Sequence, residues 1–126
     1  MAIITEDYVS FNTAKLLKEK GFNEPCYTNY VENEISHYDY SSTNFELIDG
    51  IISAPTLQTA MKWLREVHGL FISIGNDDLD YNWQIFDIRN RTKDLDPTCL
   101  TDSYAGYKKY ELACTLAIKY CLENLI

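Results

Sequence analysis

The chain has 126 residues and a mass of 14.6 kDa, enough for a single domain, 1–126, whose core needs no disulfide or metal staple. Hydrophobic residues make up 46% and charged residues 24%, with only 5 Gly and 3 Pro, which excludes disordered, collagen-like and low-complexity chains. Eleven Lys and Arg against 19 Asp and Glu leave a net charge of −8, a field that repels polyanions such as duplex nucleic acid or an acidic membrane surface.

The opening residues, Met1-Ala2-Ile3-Ile4-Thr5-Glu6-Asp7, lack the basic and apolar stretches of a secretory signal. No run approaches the roughly 20 apolar residues of a membrane span. The cysteines, Cys26, Cys99, Cys114 and Cys121, form no C-x-x-C pair, so a cytoplasmic chain with reduced thiols is expected.

The first predicted helix covers 10–20. Ser10 is a suitable N-cap, Val9 can staple onto Ala14, and Phe11, Ala14 and Leu17 share a face. Gly21 should end it in the left-handed conformation, with Phe22 folding back on Leu17. Strand-like composition follows at 26–31, 35–40 and 45–48. Turns at 33–34 and 41–44 make this a β meander. Pro55 and Thr56 open a second helix with Leu57, Ala60, Met61, Leu64 and Val67 inward, closed by Gly69, with Leu70 folding back on Leu64. His68, at that helix end, reads as a C-terminal cap favoured in its cationic form. Residues 70–74 and 81–88, separated by a polar loop at 75–80, read as a hairpin. Trp83, Ile85 and Asp87 take one face, and Asn82, Gln84, Phe86 and Ile88 the other. Apolar groups on both sides predict partial cover of both faces. A last helix over 103–124, capped by Asp102, carries Tyr107, Tyr110, Cys114, Ala117, Cys121 and Leu125, widened by Leu112, Ile118 and Leu122. Gly106 should weaken its first turn. The expected class is α+β: three helices on a small, mainly antiparallel sheet of about three to five strands, arranged at most as a three-layer α/β/α sandwich.

The segment Glu111-Leu112-Ala113-Cys114-Thr115-Leu116-Ala117-Ile118-Lys119-Tyr120-Cys121-Leu122 and its continuation to Ile126 closely resembles the end of a group of small proteins from gut bacteria, their phages and mobile elements. Residues 11–26, and Ala54-Pro55-Thr56-Leu57-Gln58 through Trp63-Leu64-Arg65-Glu66, resemble that group's other recurring blocks. Where the group often has Thr-Tyr-Glu-Glu-Ala before its last helix, this chain has Ser103-Tyr104-Ala105-Gly106-Tyr107. The plan also resembles, more loosely, the phage ABA sandwich domain. The resemblance implies a fold and a genomic setting, and no chemistry.

Chemical motifs are sparse. Cys114 and Cys121 stand two helical turns apart, roughly 10 Å along the axis, too far to share a zinc ion, and read as core. Asn76-Asp77-Asp78-Leu79-Asp80 lacks the glycine and the terminal glutamate of a calcium loop. His37 and His68 lie in no recognisable catalytic frame, and the glycines form no phosphate-cradling loop. No catalytic residue, metal or cofactor is therefore expected. Arg89, Arg91 and Lys93 form a basic cluster that could hold a phosphate, although Asp87, Asp94 and Asp96 flank it.

Between Gly21 and Met61 the acids Glu24, Glu32, Glu34, Asp39, Glu46 and Asp49 meet no Lys or Arg, and Tyr27, Tyr30, Tyr38 and Tyr40 are interleaved with them. Tyrosine supplies a rigid apolar body with a polar tip, a residue type favoured in binding hot spots. The candidate binding residues are accordingly Tyr27, Tyr30, Glu32, Glu34, Tyr38, Asp39 and Tyr40. The leading expectation is a non-enzymatic accessory protein of a phage or mobile element that binds a host protein. The alternatives are a nucleotide-binding or nucleotide-sequestering protein using Arg89, Arg91 and Lys93, and an inhibitor that imitates nucleic acid. Ten Tyr, five Phe and two Trp exceed what one small core readily hides, which makes a symmetric homodimer a further expectation.

Overall fold

The computed structural model describes residues 7–89, 98–103 and 105–126. It is an α+β structure with two three-stranded antiparallel sheets, and it divides into two compact units, Met1–Thr59 and Ala60–Ile126.

In the first unit, helix α1 (Phe11–Glu19) starts and stops on local chemistry. The Ser10 hydroxyl accepts the Thr13 amide at 3.3 Å, and Val9 and Ala14 are both fully buried as a staple requires. At the other end Gly21 takes φ +93°, so the amides of Gly21 and Phe22 reach the carbonyls of Lys18 and Leu17 at 3.1 and 2.9 Å. This is the Schellman closure that Gly-Phe predicts.

Strands β1 (Cys26–Val31) and β2 (Glu34–Ser42) form a hairpin. Its turn is Glu32-Asn33, with φ +52° and +68°, one residue before the expected position. Two consecutive left-handed residues give the twist that a two-residue hairpin needs. This register pairs Tyr30 with Ile35 and Thr28 with His37 on one face. Beyond Thr28 the ladder slips until Cys26 meets Ser42, so residues 38–41 bulge opposite Tyr27. Strand β3 (Ile51–Ser53) pairs with β1, giving the order β2-β1-β3 in place of a meander.

The segment 45–48 is a turn and not a strand; Phe45 and Ile48 are 89% and 72% exposed. Thr43 and Glu46 exchange side-chain and backbone bonds at 3.1 and 3.3 Å, a capping-box arrangement that winds this stretch up. Buried Asn44 then donates to the Phe22 carbonyl at 2.8 Å and accepts the Ser53 amide at 2.9 Å.

Helix α2 (Leu57–His68) runs across the division between the units. Thr56 caps it by accepting the Thr59 amide at 3.1 Å. Leu57, Ala60, Trp63 and Leu64 are buried, whereas Val67, expected inside, is 57% exposed. Val67 falls between Ala60 and Trp63 around the helix, so its exposure belongs to the last turn, one residue before the helix ends at His68, and not to a turning of the buried stripe.

In the second unit Gly69 (φ +66°) leads directly into β4 (Leu70–Asp77), which pairs along its whole length with β5 (Asp80–Asp87). The polar 75–80 segment is mostly strand, leaving Asp78 and the exposed Leu79 as the turn. β6 (Thr98–Asp102) lies beside β5, so the order is β4-β5-β6. Leu70, Ile72, Trp83 and Ile85 are buried on one face. The other face is partly open, with Gln84 exposed and Phe71 39% exposed.

Helix α3 (Tyr110–Tyr120) packs on β4 and β5 through Ala113, Cys114, Ala117 and Ile118, then widens into one π-type turn, Cys121–Leu125. It begins later than expected, because Asp102 ends a strand and Tyr107 bridges Tyr81 through two 2.7 Å backbone bonds. A Cβ on Gly106 would meet the Asp80 side chain at 2.6 Å, so this approach requires glycine. Leu112 is 45% exposed, outside the expected stripe.

Candidate functional site

The six acids between Gly21 and Met61, Glu24, Glu32, Glu34, Asp39, Glu46 and Asp49, are all exposed. Among the described residues, no ion pair involves any of them. They belong to the first unit, and the β1–β2 hairpin carries Glu32, Glu34 and Asp39. Glu32 occupies a left-handed position that asparagine or glycine fits with less strain.

The tyrosines divide. Tyr27 and Tyr40 are each 61% exposed, and the half-buried Tyr38 lies 5.5 Å from Tyr40, ring centre to ring centre. Tyr38, Asp39 and Tyr40 all sit on the β2 bulge. Tyr30 plays a different part: its hydroxyl donates to the Val9 carbonyl at 2.6 Å and its ring meets Phe11 edge-on at 5.6 Å. Tyr30 thus anchors the entry to α1, and its half-buried ring is engaged within the first unit while Tyr27 and Tyr40 are the exposed rings. The period-two pattern could not separate it from Tyr27, because the separation depends on contacts about twenty residues away.

Beside Tyr27 is a half-open cavity of about 150 Å³ lined by Tyr8, Pro25, Cys26, Tyr27, Thr28, Ala54, Pro55, Thr56 and Thr59. All nine residues lie within the first unit. Tyr8 is placed by its bridge to Thr56 and by the Val9 amide bonding the Pro55 carbonyl at 3.0 Å. The Thr56 hydroxyl donates to that of Thr59 at 2.9 Å, and Thr28 Oγ1 lies 3.2 Å from His37 Nδ1. The His37 ring also meets Tyr8 at 5.5 Å. Apart from Tyr27, sequence reasoning did not single out these walls. Their only signal was the small-residue run Ala54-Pro55-Thr56, which reads first as a helix start.

Cys26, Cys114 and Cys121 are buried and poor nucleophiles as placed, whereas Cys99 is exposed. Burial, reinforced by the Glu24 carboxylate, pushes the Cys26 thiol up to about 11. Burial pushes the Cys121 thiol up to about 12, and Cys114 is fully buried. Among the described residues, no group of three His, Cys, Asp or Glu is arranged to hold a metal ion, and no helix is long and apolar enough to cross a membrane.

In the basic cluster, the Arg89 guanidinium is turned onto Asp87, with bonds of 3.3 and 3.2 Å. The Arg89 side chain and then its amide hold the Asp87 carboxyl below its ordinary value. Arg91 and Lys93 lie outside the described residues. His68 is also corrected. Its Nε2 has no partner among the described residues, and its ring packs edge-on against Trp63 at 4.7 Å. Burial first, then the Arg89 charge, lowers its pKa, so the neutral imidazole is favoured over the cationic cap.

Comparison with protein-family models, curated proteins and solved structures yields no match.

Proposed function

We propose that the protein acts by binding a basic surface of a protein partner through the acidic, tyrosine-bearing hairpin of its first unit. The observation that carries this reading is the set of exposed carboxylates between Gly21 and Met61, none in an ion pair among the described residues, beside the exposed rings of Tyr27 and Tyr40. Unpaired carboxylates speed encounter with a positive patch and select against negative ones. Tyrosine rings supply contact area at low entropic cost. The strained backbone at Glu32 adds support, since a left-handed glutamate costs stability and its charge is a reason to keep it. The sequence resemblance adds a genomic setting, that of a phage or mobile element, and the reading makes this a cytoplasmic, non-enzymatic accessory protein with a host protein as target.

The test immobilises the protein and passes over it lysate from a gut bacterium. A retained basic protein, released by salt and lost when Glu32, Glu34 and Asp39 are all changed to Lys, is the expected result. Replacing Tyr38 and Tyr40 with Ala should weaken retention. Retention by the lysine variant equal to that of the wild type, or turnover of any substrate, overturns the reading.

A further inference from the structure

We infer that the cavity beside Tyr27 receives one lysine or arginine side chain of the partner. This rests on the reading above and specifies where that surface reads a single residue. Three properties of the cavity agree on the occupant.

Size is the first. About 150 Å³ is comparable to the engineered cavity in another protein that accepts benzene, so one side chain fits and a nucleotide does not. Wall chemistry is the second. Pro25, Ala54 and Pro55 line it with apolar groups suited to an aliphatic stem, and Tyr8 and Tyr27 put two aromatic side chains, the kind of group that attracts a cation, in the same wall. The hydroxyls of Thr28, Thr56 and Thr59 each keep acceptor capacity, and an ammonium or guanidinium group only donates.

Charge is the third property. The Glu24 carboxylate acts on Cys26, which is itself part of the wall, and none of the nine lining residues is a Lys or Arg. A phosphate or carboxylate would meet that negative field with no Lys or Arg in the wall to receive it. A neutral apolar group would leave the threonine hydroxyls unused. A cation on a hydrocarbon stem satisfies both.

The experiment uses the isotope-labelled full chain and four small probes: the N-acetyl methylamides of lysine and arginine, and those of norleucine and citrulline as their neutral counterparts. Amide shifts concentrated at Tyr27, Thr28, Thr56 and Thr59, saturating in the millimolar range, are expected with the cationic probes. The neutral probes should bind about threefold more weakly. Glu24→Gln should weaken the cationic probes by a similar factor, and Thr59→Leu, which fills the space, should abolish the localised shifts while the remaining amides keep their positions.

Shifts scattered over the surface, or equal binding of lysine and norleucine probes, overturn the inference. So does unchanged probe binding in both Thr59→Leu and Glu24→Gln. If those variants leave retention of the basic partner intact while the lysine variant of the hairpin loses it, the pocket inference fails and the binding reading stands. If no basic protein is retained at all, the binding reading itself fails.

Discussion

Asn44 ties together segments that the chain order keeps far apart, donating to the Phe22 carbonyl and accepting the Ser53 amide while nearly buried. Asn44→Ala leaves the Ser53 amide without its acceptor, and a loss of about 2–3 kcal/mol in urea unfolding is expected. Ser53→Ala is the contrasting case. Its buried hydroxyl has no partner among the described residues, so removing it should leave stability unchanged or slightly raised in the same assay. His68 gives a pH signature. With its folded pKa lowered below about 6.5, the unfolded chain takes up the proton more readily. The stability linked to its neutral form is therefore present above that value and lost as pH falls through the lower folded value. Urea unfolding between about pH 7 and 5 should show declining stability, with a shallower slope in His68→Gln. The caps at Ser10, Gly21, Thr56 and Gly69 were legible in the sequence because each acts within a few residues. The roles of Asn44 and Tyr30 were not, because each depends on partners about twenty positions away.

Elements followed the hydrophobic pattern where one face faced one neighbour, and departed from it at helix ends. Val67 is left open in the last turn of α2, and the Tyr81–Tyr107 bridge delayed α3 to Tyr110. The Phe45 to Ile48 stretch alternates like a strand, yet the reciprocal Thr43 and Glu46 bonds coil it. The α+β class was thus readable, whereas the division of strands between two sheets depends on β3 choosing β1 and β6 choosing β5, pairings that composition does not encode. The hairpin turn offers the sharpest element-scale test. Changing Glu32 to Asn together with Asn33 to Gly places better-suited residues at φ +52° and +68° and should raise stability by about 1 kcal/mol in thermal unfolding. The same pair of changes removes one carboxylate from the proposed surface, so partner retention should fall as stability rises.

At the scale of the whole molecule, the two compact units share one continuous helix, α2, since the division at Thr59 falls inside Leu57–His68. Both tryptophans, Trp63 and Trp83, lie in the second unit and report only its unfolding, while hydrogen exchange at the β1 amides reports the first. Coincident urea transitions by these two probes are the expected outcome, and separated midpoints would show that the units unfold independently. The bulge in β2 has a different consequence at this scale. β2 is the outer strand of its sheet, and such margins ordinarily invite another chain to extend the ladder. With 38–41 lifted out of register, the stretch bearing Tyr38, Asp39 and Tyr40 offers no regular row of amides and carbonyls. Whatever docks on this margin has to be chosen by side-chain shape and charge, which protects a tyrosine-rich rim from sticking indiscriminately to its own copies.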